Sequence, residues 1–200
     1  MKFYRIDTLT NQAKKYASFL NDYEPYQEIR DFRRMGEKFN GFSNTPIIFE
    51  RDKSYKNDEP ISDFLLNDRA GIIVSERIYE MLKEKYSNEI DFYECFARDE
   101  GSLKLYYILR SKREIDCLDR ELSFMIDFGI AQKAFKSILK DDIGDEYNYF
   151  AVKDGIKNVI SKKLYDDLKA LSPTNFEVTP IATTSEELKA RERNLKKTQK

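Results

Sequence analysis

Apolar positions recur at two periods along this chain, and the change from one to the other marks out most of its elements. Residues 1–60 are weakly patterned. Phe3, Tyr4 and Ile6 predict an opening strand, and Tyr16, Phe19 and Leu20, at i, i+3 and i+4, predict a short helical stripe. Residues 24–44 mix Pro25, Gly36 and Gly41 with charges and read as loop or irregular helix. Pro46–Glu50 is a short strand and residues 51–60 a polar connector. From Ile61 the pattern sharpens. Ile72-Ile73-Val74 is an apolar run, and Ser75 stands where a helix N-cap would accept an orphan N–H. Ile78, Met81, Leu82 and Tyr86 then form one buried helical face. Alternation returns in Ile90–Phe96, with Ile90, Phe92 and Phe96 on one side. A turn at residues 98–102 leads to a strand whose inward face is Leu103, Leu105, Tyr107 and Leu109, which together make a β-hairpin.

Residues 116–124 predict a further strand or tight extended segment. Ile130, Ala134, Ile138 and Leu139 suit a helix over 128–140, ended by the acidic run at 141–146. Tyr147–Val152 is a strand. Val74-Ser75-Glu76-Arg77-Ile78-Tyr79-Glu80-Met81-Leu82 matches Ile160-Ser161-Lys162-Lys163-Leu164-Tyr165-Asp166-Asp167-Leu168 without a gap, 86 residues on. The tyrosine after the apolar helix position is demanded by no helix rule, so the match points to a duplicated strand–helix–strand module rather than a solenoid. Each copy then runs into a strand, Asp91–Glu94 in the first and Asn175–Val178 in the second. The fold class expected is α+β, a mixed or antiparallel sheet packed by helices near 76–87, 128–140 and 162–171. Residues 1–60 form an irregular α/β segment packed on a main domain at 61–181, and 182–200 a charged helix or tail.

Composition narrows the chemistry. Of 200 residues 36 % are charged and 40 % hydrophobic, and 13 Tyr with 14 Phe supply much of the buriable area. With 35 basic and 36 acidic residues the net charge is −1, so nothing drives the whole chain toward nucleic acid or a membrane. No secretion signal or long apolar run is evident, and two cysteines make no disulfide framework, so a cytoplasmic protein with reduced thiols is expected. There is no histidine. That excludes Ser-His-Asp and Cys-His catalysis and any His-ligated zinc.

Few candidate sites survive. Gly36–Ser43 has the glycine spacing of a phosphate loop, but Phe42 occupies the lysine position. Residues 141–146 lack the oxygen that a calcium loop needs at Ile143. Asp116, Asp119 and Glu121 are the best carboxylate group for a metal-dependent hydrolase, against a surface charge pattern with Arg113 and Arg120. Cys95 and Cys117 read as core thiols. The tail from Glu186 to Lys200 carries +3, leaving −4 on the rest, and offers a nucleic-acid-binding alternative, although no aromatic residue is there to stack a base.

The stretch Asn67–Ile181 resembles bacterial polymorphic-toxin immunity proteins of the double-module type, formerly a domain of unknown function. The matching residues are Ile72-Ile73-Val74-Ser75-Glu76-Arg77, Leu82, Asp91-Phe92-Tyr93, Tyr106-Tyr107-Ile108-Leu109, Ile115–Ser123, Phe150, Val159–Leu164, Phe176 and Pro180. The chain departs from the pattern in having no tryptophan. The resemblance implies a non-enzymatic cytoplasmic inhibitor without cofactor or metal. Its partner would be the C-terminal domain of a cognate toxin, often a nuclease, with no role for a membrane or nucleic acid. Because a nuclease active site is basic, acidic and aromatic surface residues are expected to make the contact. Two clusters qualify. One is Asp141, Asp142, Asp145 and Glu146 beside Tyr147 and Tyr149. The other is Glu89, Asp91, Glu94, Asp99 and Glu100 around the hairpin, opposed only by Arg98. The first is preferred because it joins charge to aromatics on one loop.

Overall fold

The computed structural model describes residues 3–7, 16–20, 28, 32, 39–43, 46–53, 60–67, 71–128 and 132–198. Most of the 24–44 segment, including Gly36, and Ile130 of the expected third helix lie outside them. The fold is α+β, as the periodicities imply. Six strands form one sheet: β2 (Ser18–Leu20), β3 (Ile47–Arg51), β4 (Leu66–Asn67), β5 (Ile73–Ser75), β6 (Ile90–Asp99) and β7 (Ser102–Ser111), in the order β4-β2-β3-β6-β7-β5. A five-stranded sheet holds β1 (Phe3–Ile6), β8 (Glu114–Ile115), β11 (Tyr149–Val152), β12 (Val159–Ser161) and β13 (Val178–Ile181), ordered β13-β1-β12-β11-β8. A separate two-stranded ribbon pairs β9 (Phe124–Asp127) with β10 (Gln132–Lys136). Three helices are described: α1 (Glu76–Tyr86), α2 (Lys162–Ala170) and α3 (Thr184–Thr198). The first sixty residues supply strands to both large sheets.

Within each large sheet sits the same unit. β5 and β6 are both antiparallel to β7, which lies between them, and α1 connects them. β12 and β13 flank β1 in the same way, joined by α2. The registers agree as well. Tyr107 faces Val74 and Glu94, and Tyr4 faces Ile160 and Pro180, so the flanking residues keep the 86-residue spacing while the central strand comes from β7 in one sheet and from β1 in the other. Tyr79 of α1 stacks on Tyr107 at 3.6 Å between ring centroids, and Tyr165 of α2 stacks on Tyr4 at 4.5 Å. The tyrosine that no helix rule explains is therefore a lid on the central strand of each unit. Register sets Glu177-Val178 against Asp91-Phe92, not Asn175-Phe176, because Asn175 sits in a turn at positive φ before the strand begins.

One core fills the space between the sheets. Ile78, Leu82 and Tyr86 of α1 meet Leu164 and Leu168 of α2, with Val74, Ile90, Tyr107 and Leu109 from one sheet and Ile6, Tyr149 and Ile160 from the other. A second cluster, including Phe19, Phe49, Ile73, Cys95, Tyr106 and Ile108, covers the far face of the six-stranded sheet. A third, with Phe3, Phe150, Val159, Leu118 and Leu139, covers the far face of the five-stranded one. Both faces of each sheet are thus occupied.

Several expectations are corrected. The helix expected over 128–140 is β10 followed by extended chain. Ser123 Oγ accepts from Ile138 N at 2.9 Å, and Leu139 is bridged to Leu118 and Thr183, so pairing on two sides overrides the helical spacing of Ala134, Ile138 and Leu139. Phe19 and Leu20 lie in β2, where Phe19 is buried and Leu20 turns outward, since three residues inserted between two strands gain more from the ladder than from one isolated turn. Residues 116–124 bridge at Leu118 and then turn, leaving only β8 as regular strand before them. The Leu103 face is inward only from Leu105 on. Leu103 lies beyond the core near the hairpin tip and is exposed, while Tyr106, Ile108 and Arg110 are buried on the opposite face. Ser161 does cap α2, accepting from Leu164 N at 3.2 Å. Ser75 makes no side-chain cap, because its hydroxyl donates to Asp63 at 2.8 Å.

Two carboxylates fasten these parts together. Glu89, between α1 and β6, is buried and accepts from Asn148 N at 2.6 Å, Asn148 Nδ2 at 2.9 Å and Tyr149 N at 2.8 Å. Asn148 Oδ1 in turn accepts from the capping Ser161 hydroxyl. Asp63 is gripped by Arg77 through two nitrogens, by Ser75, and by the amide and hydroxyl of Thr174. Burial works to raise the Asp63 carboxyl, but the hydrogen bonds from Arg77, Thr174 and Ser75 outweigh it and hold the group well below the usual carboxylate range.

Glu89→Ala would strand three buried donors at ~1–3 kcal/mol each, so chemical denaturation should show a loss of about 3 kcal/mol or more. For Asp63 the depressed folded value means that its contribution is present above the unfolded carboxylate value near ~4 and is lost as pH falls below it. The stability gap between the native protein and Asp63→Asn should therefore be widest at neutral pH and narrow steadily as pH falls below about 5, as followed by thermal melts at decreasing pH.

Candidate functional site

The acidic loop at 141–146 leaves the end of the extended segment 137–140 and returns to β11. Its carboxylates divide into two kinds. Asp141 accepts from Ser185 N at 3.1 Å and Ser185 Oγ at 2.7 Å, at the start of α3. Hydrogen bonds from Thr183 and Ser185 hold it below the ordinary carboxylate range. Asp142, Asp145 and Glu146 are exposed, and their side chains take no hydrogen-bond or ion-pair partner among the described residues. Tyr147 is half-buried against Phe150, with the Arg113 guanidinium 5.4 Å from its ring. Tyr149 is not on this surface. It is buried, with its hydroxyl donating to Asn158 Oδ1 at 3.0 Å, because β11 turns that side inward to the main core.

The hairpin cluster is largely neutralised. Asp99 receives two hydrogen bonds from Arg51 of the neighbouring β3, which hold its carboxyl below the usual range. Arg98 pairs with Glu50 and Asp91 lies within reach of Lys112 and Arg110. Glu89 is the buried fastener described above. Arg51 of β3 could not be assigned to this hairpin from sequence because β3 joins β6 only through a parallel, long-range pairing. Only Glu94 and Glu100 remain exposed without a side-chain partner among the described residues. The two acidic groups lie on different sheets and form no common patch.

The hydrolase and nucleotide candidates fare differently. Asp119 accepts from Thr184 Oγ1 at 2.6 Å and from the amides of Glu121 and Leu122. These bonds, that from Thr184 foremost, hold it below the ordinary range, so it is an anchor for α3 and the 119–123 turn. Asp116 faces Arg120 at 3.6 Å, and Arg120 bonds Asp154 at 2.8 Å. No group of three potential ligands able to hold a metal occurs among the described residues. The Ser43 amide, in the glycine-spaced segment, is taken by the Glu28 carboxylate. Burial pushes the Cys95 thiol far up and the Cys117 thiol up to about 11, which leaves neither as a ready nucleophile.

On α3, Arg191 is drawn to Glu187 at 3.0 Å and to Leu122 O, and Arg193 donates to Lys189 O. Lys196 and Lys197 are exposed. No helix among the described residues is long and apolar enough to cross a membrane.

Sequence reasoning missed one surface. Phe124, Phe128 and Phe135 are 60 %, 61 % and 77 % exposed on and beside the β9–β10 ribbon, with the rings of Phe124 and Phe135 edge to face at 6.0 Å. The helical reading hid it, because on a helix Phe128 and Phe135 would lie beside Leu139 and pass for part of its apolar face.

A model of the Imm11 immunity protein family matches residues 7–183, well over half of the chain. No curated protein matches it. Titration calorimetry with Mg²⁺ and Mn²⁺ should give no micromolar binding, and Asp119→Ala should lower the melting temperature by freeing the start of α3. Micromolar metal binding abolished by Asp119→Ala would restore the hydrolase reading.

Proposed function

The chain belongs to the Imm11 immunity protein family, and on that premise we propose that it binds and neutralises a cognate bacterial toxin domain, a nuclease, by covering its active site in the cytoplasm of the producing cell. Such an inhibitor acts by occupancy and needs no catalytic group, cofactor or metal of its own. The observation that carries the contact surface is the loop bearing Asp142, Asp145 and Glu146, whose exposed carboxylates have no hydrogen-bond or ion-pair partner among the described residues, beside the half-buried ring of Tyr147. A site that cleaves a phosphodiester is lined with cations. Carboxylates there imitate the charge of phosphate and raise the encounter rate through long-range attraction. Glu94 and Glu100, and Asp99 in its ion pair, stand apart on the other sheet and serve as a secondary region for the same partner.

Asp141 differs from its neighbours because it holds the start of α3, so it is kept in the test. The triple variant Asp142→Asn, Asp145→Asn, Glu146→Gln should bind the toxin domain encoded beside this gene about tenfold more slowly at low salt, with a flatter dependence on ionic strength, in stopped-flow mixing. An unchanged rate and salt slope would remove the loop from the contact. Co-expression tests the function itself: cells making the toxin domain should survive only when this chain is present.

A further inference from the structure

The β9–β10 ribbon packs apolar residues on the core and also carries aromatic rings on its exposed side, among Asp127 and Lys136. Met125 and Ala134, paired across it, pack on the core beneath. Phe124, Phe128 and Phe135 point to solvent where an ordinary ribbon would carry polar residues. The ribbon pairs with no further strand among the described residues, and a two-stranded ribbon alone is marginal in water. Exposed apolar area concentrated in this way marks a docking surface.

We propose that this aromatic ribbon is the anchor of the toxin-binding surface, seating in an apolar recess of the same toxin domain that the acidic loop faces; the inference rests on the function proposed above. Three phenylalanines of ~200 Å² each, exposed by roughly two-thirds, offer about 400 Å², around half of the ~800 Å² that one side of a standard interface buries. The ribbon is therefore part of a larger contact. The rest lies close by in the chain. β10 continues through Ser137–Lys140 directly into Asp141, so at ~3.3 Å per residue Phe135 and Asp141 are at most about 20 Å apart. That fits within one interface footprint, which is roughly 30 Å across.

A second copy of this chain is the other possible occupant, and charge opposes it. Helix α3 lies alongside the ribbon through the Lys136–Glu187 pair and the Arg191 bond to Leu122 O. It bears five basic side chains against three acidic. A twofold contact through the ribbon would bring two such helices together, whereas a toxin domain meets only one of them, and its cations can face the acidic loop while its apolar recess takes the ribbon.

The test is the double variant Phe124→Ser, Phe135→Ser, measured beside the charge-neutralised loop variant against the toxin domain encoded by the neighbouring gene. Both phenylalanines are exposed, so the melting temperature should hold. Anchors act after encounter, so the complex should dissociate at least tenfold faster, with the association rate and salt slope unchanged. Failure of the unaltered chain to bind the toxin domain sinks both readings. Binding by the unaltered chain, with no faster dissociation from the double variant, sinks the ribbon alone. Sedimentation of the chain by itself decides between occupants: a dimer dispersed by the double substitution would show that a second copy covers the ribbon and overturn the proposal.

Discussion

The fold hangs on a buried carboxylate. Glu89 leaves the end of α1 on one sheet and takes three N–H groups at the edge of the other. Through Asn148 it reaches the Ser161 hydroxyl, which itself holds the first turn of α2. Ser111 adds a bond to Tyr149 O at 3.3 Å on the same seam. A hydrophobic core between two sheets is tolerant of sliding, because apolar contact has no direction. Hydrogen bonds to a buried charge are directional and costly to leave unmade. This chain of bonds therefore sets how the two sheets meet, and the apolar cluster between them supplies the bulk of the attraction.

A similar economy governs the charges. More than a third of the residues are charged, yet many acidic side chains serve the architecture: Asp63 at the start of α1, Asp99 across two strands, Asp119 and Asp141 at the start of α3, and Asp167, which receives the Tyr86 hydroxyl at 2.7 Å. What faces the outside as unneutralised acidity is a small remainder. The loop from 142 to 146 stands out against that background because Asp142, Asp145 and Glu146 are exposed and take no hydrogen-bond or ion-pair partner among the described residues.

How far this could be read from sequence depends on how local each determinant was. Ile78, Leu82 and Tyr86 announced α1, and Leu164 and Leu168 announced α2, since a helical stripe is legible within a few turns. The 86-residue match was visible, and the tyrosines at 79 and 165 were rightly singled out, but their stacking on Tyr107 and Tyr4 needed the strands that lie between. The ribbon was lost because Ala134, Ile138 and Leu139 satisfy a helical spacing while being held extended by Ser123, Leu118 and Thr183, residues distant in sequence. Glu89 and Tyr149 looked like surface for the same reason: nothing within ten residues of Glu89 reveals that Asn148 will arrive beside it. Among the carboxylates, Asp142, Asp145 and Glu146 were located as exposed residues because their loop is polar throughout, whereas the partner of Asp99 came from a strand nearly fifty residues earlier.

The position of β1 has a consequence for the order in which the molecule can be made. Residues 3–6 are made long before their neighbours on either side, residues 159–161 and 178–181. The unit around β7 is different, since β5, α1, β6 and β7 all fall between residues 73 and 111 and can assemble as soon as that stretch is free. During synthesis β1 must wait, without either of these neighbours, until the chain has been made as far as residue 181. The unit around β7 therefore rests on contacts close in sequence, whereas seating β1 between β12 and β13 joins segments more than 150 residues apart.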